Sequence, residues 1–262
     1  MRISFLHIPK TAGQSVHALL ENLFSAEEIC PARLNEQLYN YTVNQLRSYN
    51  LFSGHLDWSL VKLSGCFDFT FTVLRDPLER ILSMYFYMRE VAASQARDGV
   101  DLSFEMSTLL YGAPKDYFSF DDESLRAHIE NYYNNVYTFY FSSGSFEGHR
   151  LLSRNCQAGL AGLPRTALEN IRQIDKIYTL DSIQQLGTDL ADKTGACLPA
   201  IGNHNVNLSS PRGLEKRITR MNALSPNWDW RTYFEELTAL DYAFMEMAFA
   251  EGLLAVRYQC AG

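Results

Sequence analysis

The chain lacks the apolar run of roughly 18 residues that a membrane-crossing helix requires. Its opening, Met1-Arg2-Ile3-Ser4-Phe5-Leu6-His7-Ile8, is too short an apolar stretch for a signal peptide and runs straight into a polar loop. The expectation is a soluble, cytoplasmic protein with no membrane segment. Cysteine is sparse and scattered: Cys30, Cys66, Cys156, Cys197 and Cys260 form no CxxC and no Cys/His cluster. That spacing argues against a structural zinc site and fits free thiols in a reducing compartment, so no metal is expected. Basic charge is also short, with 23 Lys and Arg against 30 Asp and Glu and a net charge of −7. A broad surface for duplex nucleic acid is therefore not expected, although a pocket for one small anion needs only a few cations and backbone amides. No internal repeat, low-complexity tract or Walker A pattern is present.

What is present is an ordinary globular composition, 47% hydrophobic, over 262 residues, read as a single domain spanning 1–262. Residues 3–8 form a short apolar strand ended by Pro9, and Val16, Leu19, Leu20 and Leu23 recur at helical spacing over 14–24. Residues 49–56 and, more strongly, 68–75 read as strands; the second is rich in β-branched and aromatic side chains and ends at Arg75. Asp76 and Pro77 are good N-cap and N1 residues, so a helix should begin there. Residues 122–135 read as helix. Residues 176–180 read as a strand, with Asp181 capping a helix that ends near Gly195, and 212–224 and 229–251 supply two late helices. The segment 98–121 looks irregular and is expected to cover the site as a lid. Alternating strands and helices imply an α/β fold with a mostly parallel central sheet flanked by helices.

Four features carry chemistry. The loop Pro9-Lys10-Thr11-Ala12-Gly13-Gln14-Ser15 joins a strand to a helix, presenting helix-start amides, the Lys10 cation and the donors of Thr11, Gln14 and Ser15 to an anion. Read locally it is equally a tight turn with a surface lysine. Arg75 stands at a strand end, and Ser83 lies two turns beyond Asp76 on the same helix face; an arginine fork and a hydroxyl suit a terminal phosphate. The plain alternative is Arg75 paired with Asp76 and a serine packed mid-helix. His55, in Ser53-Gly54-His55-Leu56, follows a strand and has the pKa range of a general base. His7 adjoins the loop, and His17 is read as facing only its own helix. Last, the polar segment 202–213 precedes a helix carrying Lys216, Arg217 and Arg220; Arg212 there is a candidate phosphate contact, against the reading of a solvated loop.

His7-Ile8-Pro9-Lys10-Thr11-Ala12-Gly13 and Val73-Leu74-Arg75-Asp76-Pro77-Leu78-Glu79-Arg80, with Ser83 and Tyr85, resemble the two donor-binding motifs of the sulfotransferase superfamily. They are most similar to the branch containing the heparan sulfate uronosyl 2-O-sulfotransferases, and the resemblance covers about the first ninety residues. It implies a P-loop-like strand–loop–helix in which Lys10, Thr11, Ala12, Gly13, Gln14 and Ser15 hold the 5′-phosphosulfate of 3′-phosphoadenosine 5′-phosphosulfate (PAPS). It implies Arg75 and Ser83 on the 3′-phosphate, joined by Arg212 from a late loop. It further implies His55 as catalytic base and Lys10 as the group neutralising the leaving phosphate. The expected acceptor is a hydroxyl on a neutral or lightly charged molecule, with carbohydrate a candidate. Aromatic residues between 111 and 141 could face it or be core, and the acidic run Asp116, Asp121, Asp122 and Glu123 would repel a densely sulfated chain. Two rivals stand beside this reading. A kinase-like phosphotransferase would need a Walker lysine and a magnesium-holding carboxylate. A nucleotide- or carbohydrate-binding module without turnover would not need the full set Lys10, His55, Arg75 and Ser83.

Overall fold

The computed structural model describes residues 1–119, 122–153, 159–202, 211 and 213–258. The first third of the chain runs β1 (Ile3–Leu6), α1 (Gly13–Leu20), α2 (Asn35–Leu38), α3 (Val43–Arg47), β2 (Leu51–Gly54), α4 (Trp58–Val61) and β3 (Phe69–Leu74). A helical stretch follows: α5 (Pro77–Arg97), α6 (Phe104–Tyr111), α7 (Pro114–Ser119), α8 (Glu123–Tyr132), α9 (Val136–Ser143), α10 (Gly148–Ser153) and α11 (Leu163–Ile171). The chain then forms β4 (Lys176–Thr179), α12 (Gln184–Thr194), α13 (Leu214–Leu224) and α14 (Trp230–Ala250).

The described residues group into two compact units. Of those residues, the first comprises 1–75, 137–202 and 242–258, and the second comprises 76–136 and 211–241. The first unit holds a four-stranded sheet in the order β2-β1-β3-β4, every pair parallel. All four residues of β1 and of β2 are buried, as expected of strands covered on both faces. Leu6 pairs with Gly54 on one side and Thr72 on the other, and the Thr72 hydroxyl donates to the Leu6 carbonyl at 2.8 Å. The chain leaves β1 for one neighbour and later crosses to the other, so the C-terminal end of β1 is the switch point where open α/β sheets hold ligands. Behind it, Ile3, Phe5, Phe71 and Val73 of the sheet pack with Val16, Leu19 and Leu20 of α1 and with Leu186 and Leu190 of α12. Each such side chain contributes about 1.5–3 kcal/mol on burial.

In the second unit the Asp76 carboxylate accepts the Glu79 amide at 2.8 Å and Pro77 opens α5, so that helix starts where its capping residues place it. Asp122 likewise caps α8, accepting from the amides of Ser124 and Leu125. Arg217 of α13 is buried. Its guanidinium reaches the Glu79 carboxylate at 3.2 Å and the Pro211 carbonyl at 2.9 Å, fastening α13 to the first turn of α5. Tyr85, Tyr117, Phe118 and Tyr133 pack ring against ring, so these aromatics are core.

Two local expectations are corrected. The segment 98–121 contains α6 and α7 and is not irregular; Ser103 caps α6, and Leu109, Tyr117 and Phe118 are buried. Helices of eight and six residues leave too few periods to be read from apolar spacing. Asp181 does not cap α12. It lies in a 3₁₀ turn, Leu180–Ser182, closed by the Ser182 hydroxyl on the Thr179 amide at 3.0 Å, and α12 begins at Gln184 with no side-chain cap. Its other end is as read: Gly195 takes the left-handed conformation, φ 70°, that ends a helix. No helix among the described residues is long and apolar enough to cross a membrane.

Candidate active site

The loop after β1 takes its shape from two left-handed residues, Lys10 (φ 71°) and Ala12 (φ 65°). Non-glycine residues adopt that region at a cost, and such positions gather where backbone amides are turned toward a ligand. The Thr11 hydroxyl donates to the Ile8 carbonyl at 2.8 Å and is buried, so its side chain braces the loop. Helix α1 begins at Gly13. Its first intrahelical bond runs from the Val16 amide to the Ala12 carbonyl, and Ala12, at the N-cap, offers no side-chain cap. The result is an anion-accepting helix start with Lys10 beside it. Gln14 is exposed, whereas Gly13 and Ser15 are buried.

Gly13 must lack a side chain. A Cβ there would fall 1.6 Å from Nε2 of His7, whose ring occupies that space. Gly54, the last residue of β2, is constrained the same way, since its Cβ would lie 2.7 Å from the Arg33 carbonyl oxygen. That approach draws the segment 33–35 alongside the end of β2. The His55 amide donates to the Arg33 carbonyl at 2.8 Å, Leu34 bridges to His55, and the Asp57 amide donates to the Asn35 side chain at 2.6 Å.

His55 emerges from β2 beside His7, as the pairing of Leu6 with Gly54 requires. Its Nδ1 lies 3.1 Å from the His7 main-chain oxygen. A carbonyl only accepts, so Nδ1 carries the proton and Nε2 of the neutral ring keeps its lone pair. The two rings are 4.2 Å apart and tilted by 33°. Burial pushes the His55 pKa below its ordinary 6.5, the bond to the His7 carbonyl opposes this, and the Arg33 and Lys10 cations add to it. His7 is held well below 6.5, first by burial and then by His55 and the same cations. Both imidazoles are therefore neutral at pH 7.

Arg75 follows β3, which runs two residues past the level of Leu6. The Tyr137 hydroxyl pins its backbone, accepting the Arg75 amide at 3.1 Å and donating to the Arg75 carbonyl at 2.9 Å, with Tyr137 wholly buried. The first unit thus gathers Lys10, Thr11, Ala12, Gly13, Gln14, Ser15, His55 and Arg75 at the C-terminal edge of one sheet. Ser83 belongs to the second unit, partly buried on α5. Arg212 lies outside the described residues.

Sequence reasoning missed several residues and misread one. His17 does not face only its own helix: its Nδ1 lies 3.0 Å from the Ser53 hydroxyl on β2 and its ring contacts the Arg33 guanidinium at 2.6 Å. Arg33 carried no local signal. Asp57 is buried and accepts from the Ser145 hydroxyl at 2.6 Å and the Phe146 amide at 2.8 Å; this sets the Phe146 ring edge-on to His55 at 6.2 Å. A carboxylate two residues beyond a candidate base was the one available hint.

A parallel sheet with a strand–loop–helix at its switch point and a neutral histidine at the next strand end places the candidate site at the edge where open α/β sheets hold ligands. The sequence pattern of the Sulfotransferase family matches residues 1–139, and the chain belongs to that family. A protein-tyrosine sulfotransferase from Arabidopsis thaliana is 35% identical over 91 residues, which is 34% of this chain and 18% of that protein's length.

Proposed function

We propose that the protein transfers a sulfuryl group from PAPS to an acceptor hydroxyl. One observation carries the reading: the start of α1, shaped by the left-handed pair Lys10 and Ala12, stands at the same sheet edge as a histidine whose Nδ1 holds the proton and leaves the Nε2 lone pair to accept another. Family membership supports sulfuryl transfer as the reaction class. The residues present suit the donor. The α1 amides and Lys10 meet a 5′-phosphosulfate, and Arg75 and Ser83 would hold the 3′-phosphate, joined by Arg212. His55 Nε2 takes the proton from the acceptor hydroxyl while that oxygen forms its bond to sulfur. The bond between sulfur and the donor's phosphate oxygen breaks, and Lys10 neutralises the charge left on that phosphate. We take both units to serve one transferase domain, because the motif Val73–Ser83 runs through the boundary at Arg75 and Asp76.

For the acceptor, the net charge of −7 favours a neutral or lightly charged molecule, with carbohydrate one candidate. The similarity to a protein-tyrosine sulfotransferase favours a second, a phenol hydroxyl on a peptide. Incubation with labelled PAPS and a panel of sugar and tyrosyl-peptide acceptors, reading labelled product and released 3′-phosphoadenosine 5′-phosphate, separates them. Calorimetry should give weaker binding for adenosine 5′-phosphosulfate than for PAPS. Loss of the Arg75 contact in Arg75→Ala should cost PAPS affinity about tenfold or more, the value of a charged hydrogen bond. No transfer to any acceptor, together with equal affinity for the two nucleotides, would reject the reading.

A further inference from the structure

We propose that the His7 side chain is a positioning residue whose ring face holds the His55 imidazole in the orientation that presents Nε2 to the acceptor. The inference rests on the reading of His55 as the base, and it concerns a residue to which neither donor binding nor proton transfer has been assigned.

The argument starts from the place His7 occupies. Its main-chain oxygen already fixes the His55 proton on Nδ1, 3.1 Å away. One hydrogen bond leaves the imidazole free to swing about that contact, because χ2 of histidine is a soft torsion. The His7 ring, 4.2 Å from the His55 ring, closes off that swing. His7 is itself held. Its ring stacks on Phe5 at 5.2 Å, Phe5 stacks on Phe71 at 5.0 Å, and Phe71 stacks on Phe69 at 5.3 Å. The series of rings runs from the middle of the sheet to the base. Glycine at position 13 completes the seat, since any side chain there would occupy the space of His7.

The same surroundings explain why His7 is not a second base. The side chain is 5% exposed, and its Nδ1 has no hydrogen-bond partner among the described residues. A proton taken up by His7 would place N–H groups on both nitrogens and leave one buried without an acceptor, a costly arrangement. His55 has its Nδ1–H satisfied and is the more exposed of the two, so an imidazolium is tolerated there.

The test uses His7→Ala, which removes the ring, His7→Phe, which keeps a ring face, and His55→Ala as a control on the base. In His7→Ala, kcat should fall about 10–100-fold, the scale for a reacting group misplaced by about 1 Å, while PAPS affinity by calorimetry stays within about twofold. Nitrogen-15 spectra of the His55 ring should show one tautomer in the parent protein and, because the unsupported ring swings off the main-chain oxygen that the variant retains, a mixture in His7→Ala. His7→Phe should recover much of the lost kcat; if it does not fold, the two His7→Ala readouts decide. A folded His7→Ala protein with parent kcat and a single His55 tautomer would overturn the proposal. So would an equal loss of kcat and donor affinity, which would mean that His7 acts through the Gly13 loop. Full turnover in His55→Ala would instead reject the base, and the tautomer spectra would still report whether His7 orients that ring.

Discussion

At the scale of single residues, His55 and Lys10 should fail differently when removed. In the proposed reaction His55 handles only the acceptor proton, so His55→Ala should lower turnover about 10²–10⁴-fold with little change in donor affinity. Lys10, in the same proposal, meets charge that grows during transfer, so Lys10→Ala should impair binding and turnover together. The pH profile carries a sign. Burial and the nearby cations lower the His55 pKa, so the neutral base persists below its ordinary 6.5. The acid limb of kcat/KM should therefore lie below pH 6.5; a limb above it would mean another group titrates. The placement of these two residues after strands was legible because each sits in a short local pattern at a strand end. Arg33 and Tyr137 were not. Arg33 reaches His17 through a loop 16 residues further along the chain, and Tyr137 meets Arg75 across 62 residues. No periodicity or motif encodes such pairings; they exist only once β2 and β3 flank β1.

At the scale of elements, the fold is readable wherever a local rule acts alone. Buried apolar runs gave the four strands to within a few residues, and Asp76, Pro77 and Gly195 marked helix ends through capping chemistry. Reading failed at α6 and α7 and at the 3₁₀ turn before α12, where tertiary burial and turn bonds override sparse local signals. The loop after β1 and the turn after β3 are each held by a close contact, and this yields two predictions. Gly13→Ala should displace His7, lowering both stability and turnover, and calorimetric unfolding beside kinetics would expose a silent substitution. Tyr137→Phe removes a hydroxyl bonded to both the amide and the carbonyl of Arg75. It should cost about 1–3 kcal/mol in denaturant unfolding, the penalty for stranding buried partners. PAPS affinity should drop with it if Arg75 holds the 3′-phosphate. Unchanged stability would mean that water replaces the hydroxyl.

At the scale of the whole molecule, the buried histidines make stability depend on pH in a window set apart from the carboxylates. His7, His17, His55 and His128 all have pKa values lowered chiefly by burial. In the unfolded chain they take up protons near pH 6.5, while in the folded chain they do so only at lower pH. The unfolded state therefore binds more protons as the pH falls below 6.5. Stability fully present above that pH drains away until the folded-state values are reached. The shifted carboxylates, Glu28, Glu105, Asp122, Asp229, Glu246 and Glu251, also have lowered values, but their contribution is lost only below their ordinary range near 4. Acidification also trims the net charge of −7 and relieves self-repulsion, which acts in the opposite direction. That long-range effect is screened at physiological salt, whereas the histidine contribution arises from desolvation and is not. Denaturant stability should thus decline between pH 6.5 and 5. The slope due to His7 can reach at most about 1.4 kcal/mol per pH unit. His7→Phe, having one titrating group fewer, should show a shallower decline than the parent chain in 0.15 M salt. Parallel curves for the two proteins would show that His7 is protonated equally in both states, and a flat parent curve would show that all four histidines are.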